Sequence, residues 1–363
     1  MANLEEARQQ IDEIDRQMTE LFEQRMAAVA NVALYKQKHN LPVLHPAREE
    51  EVVAKGTARL RTPALAPYYA SFIRHTMGLS RQYQTQILGQ NVVAYQGAQG
   101  GFGHSVAGAL FPLGSLLATP TFEGVFNLVE NGEAAYGVVP FENSTTGDVS
   151  GILDLCQAHS CYVTAMYDLP VTQNLLALPG ATLGDIKTVV SHPQALEQSK
   201  RFLQSLGAAQ KPYANTATAA QYVAATGDKT IAAIASLEAA ELYGLVPLAQ
   251  NIATEASNAT RFIVLSKQMP TLGDRFSLLV TIENKVGQLA KIIEIISAHG
   301  FDMENIKSRP QPHRPWEYYF YIELVGAQNT AEAQNMLASL AKTCLSVRLL
   351  GIYHRAAPNA QKI

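Results

Sequence analysis

Two kinds of side chain in this sequence stand where chemistry would need them. Hydroxyls and amides cluster at the mouths of apolar strands, and cations recur along one face of a long helix. Thr260 and Arg261 end the small polar stretch ASNAT-R and lead into the apolar run Phe262–Leu265. A turn that starts a strand explains that pattern; so does a binding site, because ligands in α/β sheets gather beyond strand ends. Four more polar turns stand in similar places. Glu142, Asn143, Ser144 and Thr145 follow the apolar YGVVP and precede Gly147. Ser191 closes TVVS, with Pro193 at a helix start and Gln198 one or two turns further on. Ser191 suits a helix N-cap equally well. Thr216, in NTATAAQ, sits at a helix N-terminus, where free backbone N–H groups favour an anion. The glycine-rich YQGAQGGFGH at 95–104 lacks the Gly-Lys-Ser/Thr of a phosphate-binding P-loop.

The cations lie in the first helix. One heptad seam reads Leu4, Ile11, Met18, Arg25, Val32 and the other Ala7, Ile14, Leu21, Ala28, Tyr35. An arginine in such a seam destabilises unless it is paired, sets register or meets a ligand. Lys36 follows Arg25 by eleven residues, close to three turns, so both point the same way about 16 Å apart. Side chains that long can lean together across a small dianion. Arg8 lies about 25 Å from Arg25 along the helix. It reaches the same ligand only from an antiparallel partner, which hints at a dimer with shared anion sites.

With 363 residues the chain has room for two or three domains. Its composition, 47% hydrophobic and 16% charged with a formal net charge of −3, is that of a soluble globular protein. It gives no reason to expect nucleic acid or membrane as a partner. The charged N-terminus lacks the apolar core of a signal peptide, and no window approaches 18 unbroken apolar residues. Cys156, Cys161 and Cys344 are an odd number without metal-ligand spacing, which reads as reduced thiols in a cytoplasmic protein.

Three textures divide the chain. Residues 1–89 read as helix throughout. From 90 to 268, short apolar strands alternate with helical stretches such as 193–206 and 216–226, an α/β pattern. Residues 272–357 carry a βαββαβ order, the α+β ferredoxin-like unit, after a linker at Pro270–Gly273.

Each segment resembles a known family. ARQQIDEID, QRMAAVANVALYK, PAREEEVV and LSRQYQ make residues 1–89 similar to the all-α chorismate mutase domain. That resemblance implies that Arg8 (from a partner subunit) and Arg25 grip the carboxylates of chorismate, while Lys36 and Gln84 hydrogen-bond its ether oxygen. Glu49 would hold the substrate hydroxyl, with Arg48 and Ser80 in support. His45 stands where many relatives carry Asp or Arg. PFENSTTG, SHPQAL and NATRF make the middle segment resemble prephenate dehydratase. The fold implied has two α/β lobes like a periplasmic binding protein, 90–170 plus 254–268 and 171–253. Thr260 would assist departure of hydroxide as carboxylate is lost. Glu142, Asn143, Ser144, Ser191, Gln198, Thr216 and Arg261 would bind or orient prephenate. The loop at 97–103, GAQGGFG, lacks two hydroxyls and a carboxylate usual in that family, and Gln173-Asn174 replaces a histidine often found there. ENKVGQLAKIIEII and NIKSRP resemble an ACT regulatory domain, implying phenylalanine bound near Gly287, Gln288, Leu289, Ser308, Arg309 and Pro310. Lys307 stands there in place of the usual glutamate. Together the resemblances imply a bifunctional, feedback-inhibited homo-oligomer that needs no metal or organic cofactor. A solute-binding protein fits the middle segment too, but not the mutase-like helices.

Overall fold

A computed structural model describes residues 4–39, 41, 43–88, 92–255, 258–311 and 317–356, and its contacts fall into two compact units. The first is the helical one: α1 (Leu4–Lys38), α2 (Pro46–Ala58) and α3 (Ala66–Ile87). Glu5 and Glu6 in the first turn of α1, and Lys36 and Lys38 in its last, complement the helix dipole. His45 caps α2 through its ring nitrogen, and Pro46 starts that helix, where no N–H is needed. The C-terminal half of α1 packs on α3, burying Ala33, Met77 and Ser80. Its N-terminal half is different: Leu4, Ile11, Ile14, Met18 and Leu21 are all exposed. This half of the heptad seam therefore lies open, with no apolar cover from the described residues.

The second unit begins with a sheet of β1 (Val92–Gln96), β2 (Ser115–Thr119), β3 (Tyr136–Asn143), β4 (Gly147–Asp148) and β5 (Tyr162–Pro170), with helices α4 (Phe102–Leu110), α5 (Phe122–Asn131) and α6 (Ile152–Ala158). The chain then enters a separate five-stranded sheet, β6 (Asn174–Ala177), β7 (Thr188–Ser191), β8 (Ala209–Pro212), β9 (Ile231–Ala235) and β10 (Val246–Ala249), in the order β10-β6-β9-β7-β8. Around it lie α7 (Pro193–Gln198), α8 (Lys200–Leu206), α9 (Thr216–Thr226) and α10 (Leu237–Tyr243). The helix expected across 193–206 is broken at Ser199.

Strand β11 (Ala259–Ser266) returns to the first sheet and inserts antiparallel between β3 and β5. A bulge opposite Arg261/Phe262 accommodates Pro140, which has no N–H to give the ladder. The C-terminal βαββαβ unit follows: β12 (Arg275–Thr281), α11 (Gln288–Ala298), β13 (Asp302–Pro310), β14 (Tyr318–Val325), α12 (Ala331–Thr343) and β15 (Ser346–Tyr353). It does not stand apart. Strand β15 joins β5, extending one continuous sheet in the order β13-β14-β12-β15-β5-β11-β3-β1-β2. Gly351 permits this, since a Cβ there would lie 2.1 Å from the Val163 carbonyl oxygen. One core runs through the junction, combining Phe141, Met166 and Ile263 with Leu279, Tyr319, Tyr321 and Tyr353.

Candidate active sites

In the helical unit a cavity of about 130 Å³ gathers Arg25, Lys36, Arg48, Glu49, Ser80 and Gln84. All of the protomer's own residues expected in the mutase site thus converge from three helices. Arg25 donates to Ser80 Oγ, and the Ser80 hydroxyl donates to the Thr76 carbonyl at 2.7 Å. Lys36 Nζ donates to the Val43 carbonyl at 2.5 Å. Burial pulls the Lys36 pKa below its ordinary value; Glu49 pulls it back up, and Arg81 pushes it further down. Gln84 is buried, and its amide has no protein partner among the described residues. Arg48 lines the rim, its guanidinium on Glu51 at 2.6 Å. Arg8 is exposed beside Glu5 and outside the cavity.

Sequence reasoning missed Arg81, which pairs with Glu49 at 2.5 Å within this cavity. Its position three residues before Gln84 puts it on the same face of α3, a signal that was available. The cavity is cationic with one carboxylate and one uncommitted amide. That suits a compact dianion with an oxygen on which charge can grow.

In the second unit, Thr260 and Asn143 are direct cross-strand partners on β11 and β3. Asn143 Nδ2 donates to Thr260 Oγ1 at 2.9 Å and to Asn258 Oδ1 at 2.8 Å. The hairpin Ser144–Thr146 closes at Gly147, whose φ of 78° is a left-handed conformation that glycine adopts without a Cβ penalty. Ser144 Oγ accepts from the Ala259 N–H at 2.9 Å and so ties the hairpin to β11. Gln198, the last residue of α7, reaches the same cluster, accepting from Asn258 Nδ2 at 3.2 Å. Among the described residues, no hydrogen bond joins Ser191 or Thr216 to this cluster. Ser191 is fully buried and donates to the Ile234 carbonyl at 2.7 Å within the second sheet. Thr216 stands, half-buried, at the start of α9, where Asn215 is the cap. In the 97–103 loop, the Gln99 carbonyl accepts from Tyr243 of α10 at 2.8 Å. Asn258 went unassigned in the sequence, although it opens the NATRF motif.

Arg261 and Glu142 project from the opposite face, as strand alternation requires. Arg261 lies between its two cross-strand neighbours, 2.8 Å from Asp168 and 3.6 Å from Glu142. Burial lowers its pKa, but Asp168, Glu323 and Glu142 more than restore it, so the net shift is upward.

That face meets the C-terminal unit. Lys307 of β13 bonds Glu142 at 3.0 Å and also Asp148, with its ammonium 4.8 Å above the Phe141 ring. Arg309 pairs with Asp154 of α6 at 2.6 Å, and Tyr319 donates to the same carboxylate at 2.7 Å. Arg348 donates to four carbonyls, those of Cys156, Gln157, His159 and Cys161. Ser308 and Pro310 are exposed on the other side of β13, while Gly287 turns into α11 with φ 81°. Arg309 therefore lies across the strand from Ser308 and not beside it. No helix is long and apolar enough to cross a membrane, and no cluster of metal-ligating residues occurs among the described residues.

The folds and sites define a class: a helical mutase unit joined to a two-lobed α/β dehydratase that carries a C-terminal ACT module. Family models agree in the same order, chorismate mutase type II over residues 7–85, prephenate dehydratase over 93–270 and the ACT domain over 276–341. A bifunctional chorismate mutase/prephenate dehydratase of Aquifex aeolicus is 31% identical, covering 98% of this chain and 99% of that protein. The chain belongs to the bifunctional chorismate mutase/prephenate dehydratase family. An arogenate dehydratase/prephenate dehydratase of Arabidopsis thaliana is 34% identical over 72% of this chain and 71% of its own length. The solved prephenate dehydratase of Arthrobacter aurescens, in complex with L-Phe, superposes with a TM-score of 0.66 at 28% identity, covering 75% of this chain and 92% of that one.

Proposed function

We infer that the chain converts chorismate to prephenate in its helical unit and prephenate to phenylpyruvate in its α/β unit, with phenylalanine as feedback effector. The observation that carries this reading is the presence on one chain of two sites of different character. One is a cationic pocket with a buried, uncommitted amide at Gln84. The other is a donor cluster around the Thr260 hydroxyl.

The mutase step breaks a C–O bond while a C–C bond forms, with no nucleophile or proton transfer. Holding the compact conformer and stabilising charge on the ether oxygen are sufficient. In this reading Lys36 and Gln84 donate to that oxygen, Arg25 binds a carboxylate, and Glu49 accepts from the substrate hydroxyl. A partner's copy of α1 would supply Arg8; the unpartnered apolar seam of α1 supports such a dimer. In the dehydratase step the C–C bond to carboxylate breaks and releases CO2. Its electron pair enters the ring as the C–O bond breaks. The departing hydroxide takes a proton through the Thr260 hydroxyl to leave as water, and solvent restores that proton. Aromatisation drives the reaction, so timing matters more than acidity.

Phenylalanine is assigned to the exposed side of β13 and the Gly287–Leu289 turn, where N–H groups at the start of α11 suit a carboxylate. Burial pushes the thiols of Cys156 to about 12 and of Cys161 and Cys344 to about 11, which keeps them protonated and poor nucleophiles. The mutase unit makes prephenate on the same chain, which favours it over arogenate. The test supplies chorismate, prephenate or arogenate to the purified chain. Thr260→Val should abolish phenylpyruvate formation and spare the mutase; Lys36→Met should do the reverse. Loss of both activities in either variant contradicts separate sites.

A further inference from the structure

The amides around Thr260 form a directed chain whose starting point is fixed by backbone. The N–H groups of Thr145 and Thr146 donate to Asn143 Oδ1 at 3.0 and 3.1 Å. A backbone N–H can only donate, so this end of the Asn143 amide must be its oxygen. The NH2 end then faces Thr260 Oγ1 and Asn258 Oδ1. Since Asn258 accepts there, its own NH2 points at Gln198 Oε1, 3.2 Å away. Gln173 Nε2 donates to the same oxygen at 3.1 Å. Gln198 Oε1 is thus taken twice, and its Nε2, buried, has no partner.

Two consequences follow for the substrate. Thr260 Oγ1 already accepts from Asn143, and no described residue takes its proton. Its proton is left free to be donated. Gln198 Nε2 is likewise left as a donor. Asn143 has every hydrogen-bonding position engaged by protein: the Thr145 and Thr146 N–H groups and the Thr146 hydroxyl donate to its oxygen, and Thr260 Oγ1, Asn258 Oδ1 and the Ala259 carbonyl share its NH2.

We propose that Asn143 and Asn258 are positioning residues that transmit the hydrogen-bond polarity of the Ser144–Thr146 hairpin to both sides of the cleft, leaving Thr260 and Gln198 as donors toward an oxygen-rich, anionic substrate. The proposal rests on the role given to Thr260 above and adds to it. Asn143 acts through Thr260 and touches no substrate. Asn258 acts through Gln198 on the second lobe and so couples the two lobes to one arrangement of donors.

Asn143→Asp tests the first half. The new carboxylate still accepts from the hairpin, but its second oxygen accepts from Thr260 and draws the proton away from substrate. The expected result is a fall in dehydratase kcat of about 100-fold, the scale of one lost transition-state donor; the same oxygen faces Asn258 Oδ1, so that amide and Gln198 turn as well and KM rises about tenfold. Asn258→Asp tests the second half. It still accepts from Asn143 but now also demands a donor from Gln198, whose amide must turn and give up its N–H. Here KM for prephenate should rise about tenfold, with kcat reduced less, as expected for a lost binding hydrogen bond. Mutase activity on the same chain reports folding in each variant. A large rise in KM with retained kcat for Asn143→Asp would show direct substrate contact and overturn the proposal. Unchanged kinetics in either variant would also overturn it. Thr260→Val separates the two levels: if that variant keeps full activity, the role of Thr260 fails; if it is inactive while Asn143→Asp is unimpaired, only the polarity chain fails.

Discussion

Lys36 gives the mutase a pH signature that follows from its surroundings. Its ammonium is charged only below its pKa, and burial with Arg81 nearby lowers that pKa further than Glu49 restores it. The free enzyme therefore loses the charged donor as pH rises through a value below the usual lysine range near 10.5. A bound dianion favours the ammonium and moves the same titration upward. Since kcat/KM reports the free enzyme and kcat the complex, the alkaline limb of kcat/KM should lie at lower pH than that of kcat. Lys36→Gln keeps a donor but removes the charge. A donor to developing charge in a closed site is worth about 3 kcal/mol, so kcat should drop roughly 100-fold or more and the alkaline limb should vanish. Lys36→Arg stays charged across the range and should retain part of the activity with a limb displaced beyond the measurable pH. Disappearance of chorismate followed at a series of pH values checks all three. An alkaline limb in Lys36→Arg identical to that of the unmodified protein would refute the reasoning, because another group would then be titrating.

Three further outcomes can be measured. Lys307→Met keeps the stem against Phe141 but removes the cation between Glu142 and Asp148; calorimetry should still register phenylalanine binding, while its inhibition of the dehydratase weakens about 5- to 100-fold, the range of ordinary coupling energies. An unchanged inhibition curve would mean that this contact carries no signal. Gly351→Val forces a Cβ into the Val163 backbone and should lower the melting temperature of the α/β unit by a loss of about 3 kcal/mol, read by scanning calorimetry. Arg348→Met leaves four carbonyls near the end of α6 without their guanidinium and should destabilise by about 3 kcal/mol in chemical denaturation; a shift of a few tenths would show that water replaces it fully.

What the sequence made legible was local. Arg25 and Lys36 share one helix, so counting residues per turn suffices to aim them together, and Ser80 and Gln84 are one turn apart on another. The same arithmetic reaches Arg81. Contacts that close across long stretches of chain obey no such count. Asn143 meets Asn258 after 115 residues and Lys307 meets Asp148 after 159, and neither motif names its partner. Lys307 is the instructive case. The resemblance that puts an effector beside Ser308 and Pro310 puts Lys307 next to it, in place of a glutamate. The strand continues through Pro310, and its alternation puts Ile306, Ser308 and Pro310 on the open side and Lys307 and Arg309 on the side of the dehydratase. Parity alone separates the two sets; only the packing of the C-terminal unit against β3 and α6 decides which set faces which way. One strand thus presents an exposed face outward and holds the strand of Asn143 inward, through Glu142. Were phenylalanine to bind that exposed face and shift β13, the ion pairs of Lys307 beneath it would move with the strand, one residue away from Asn143.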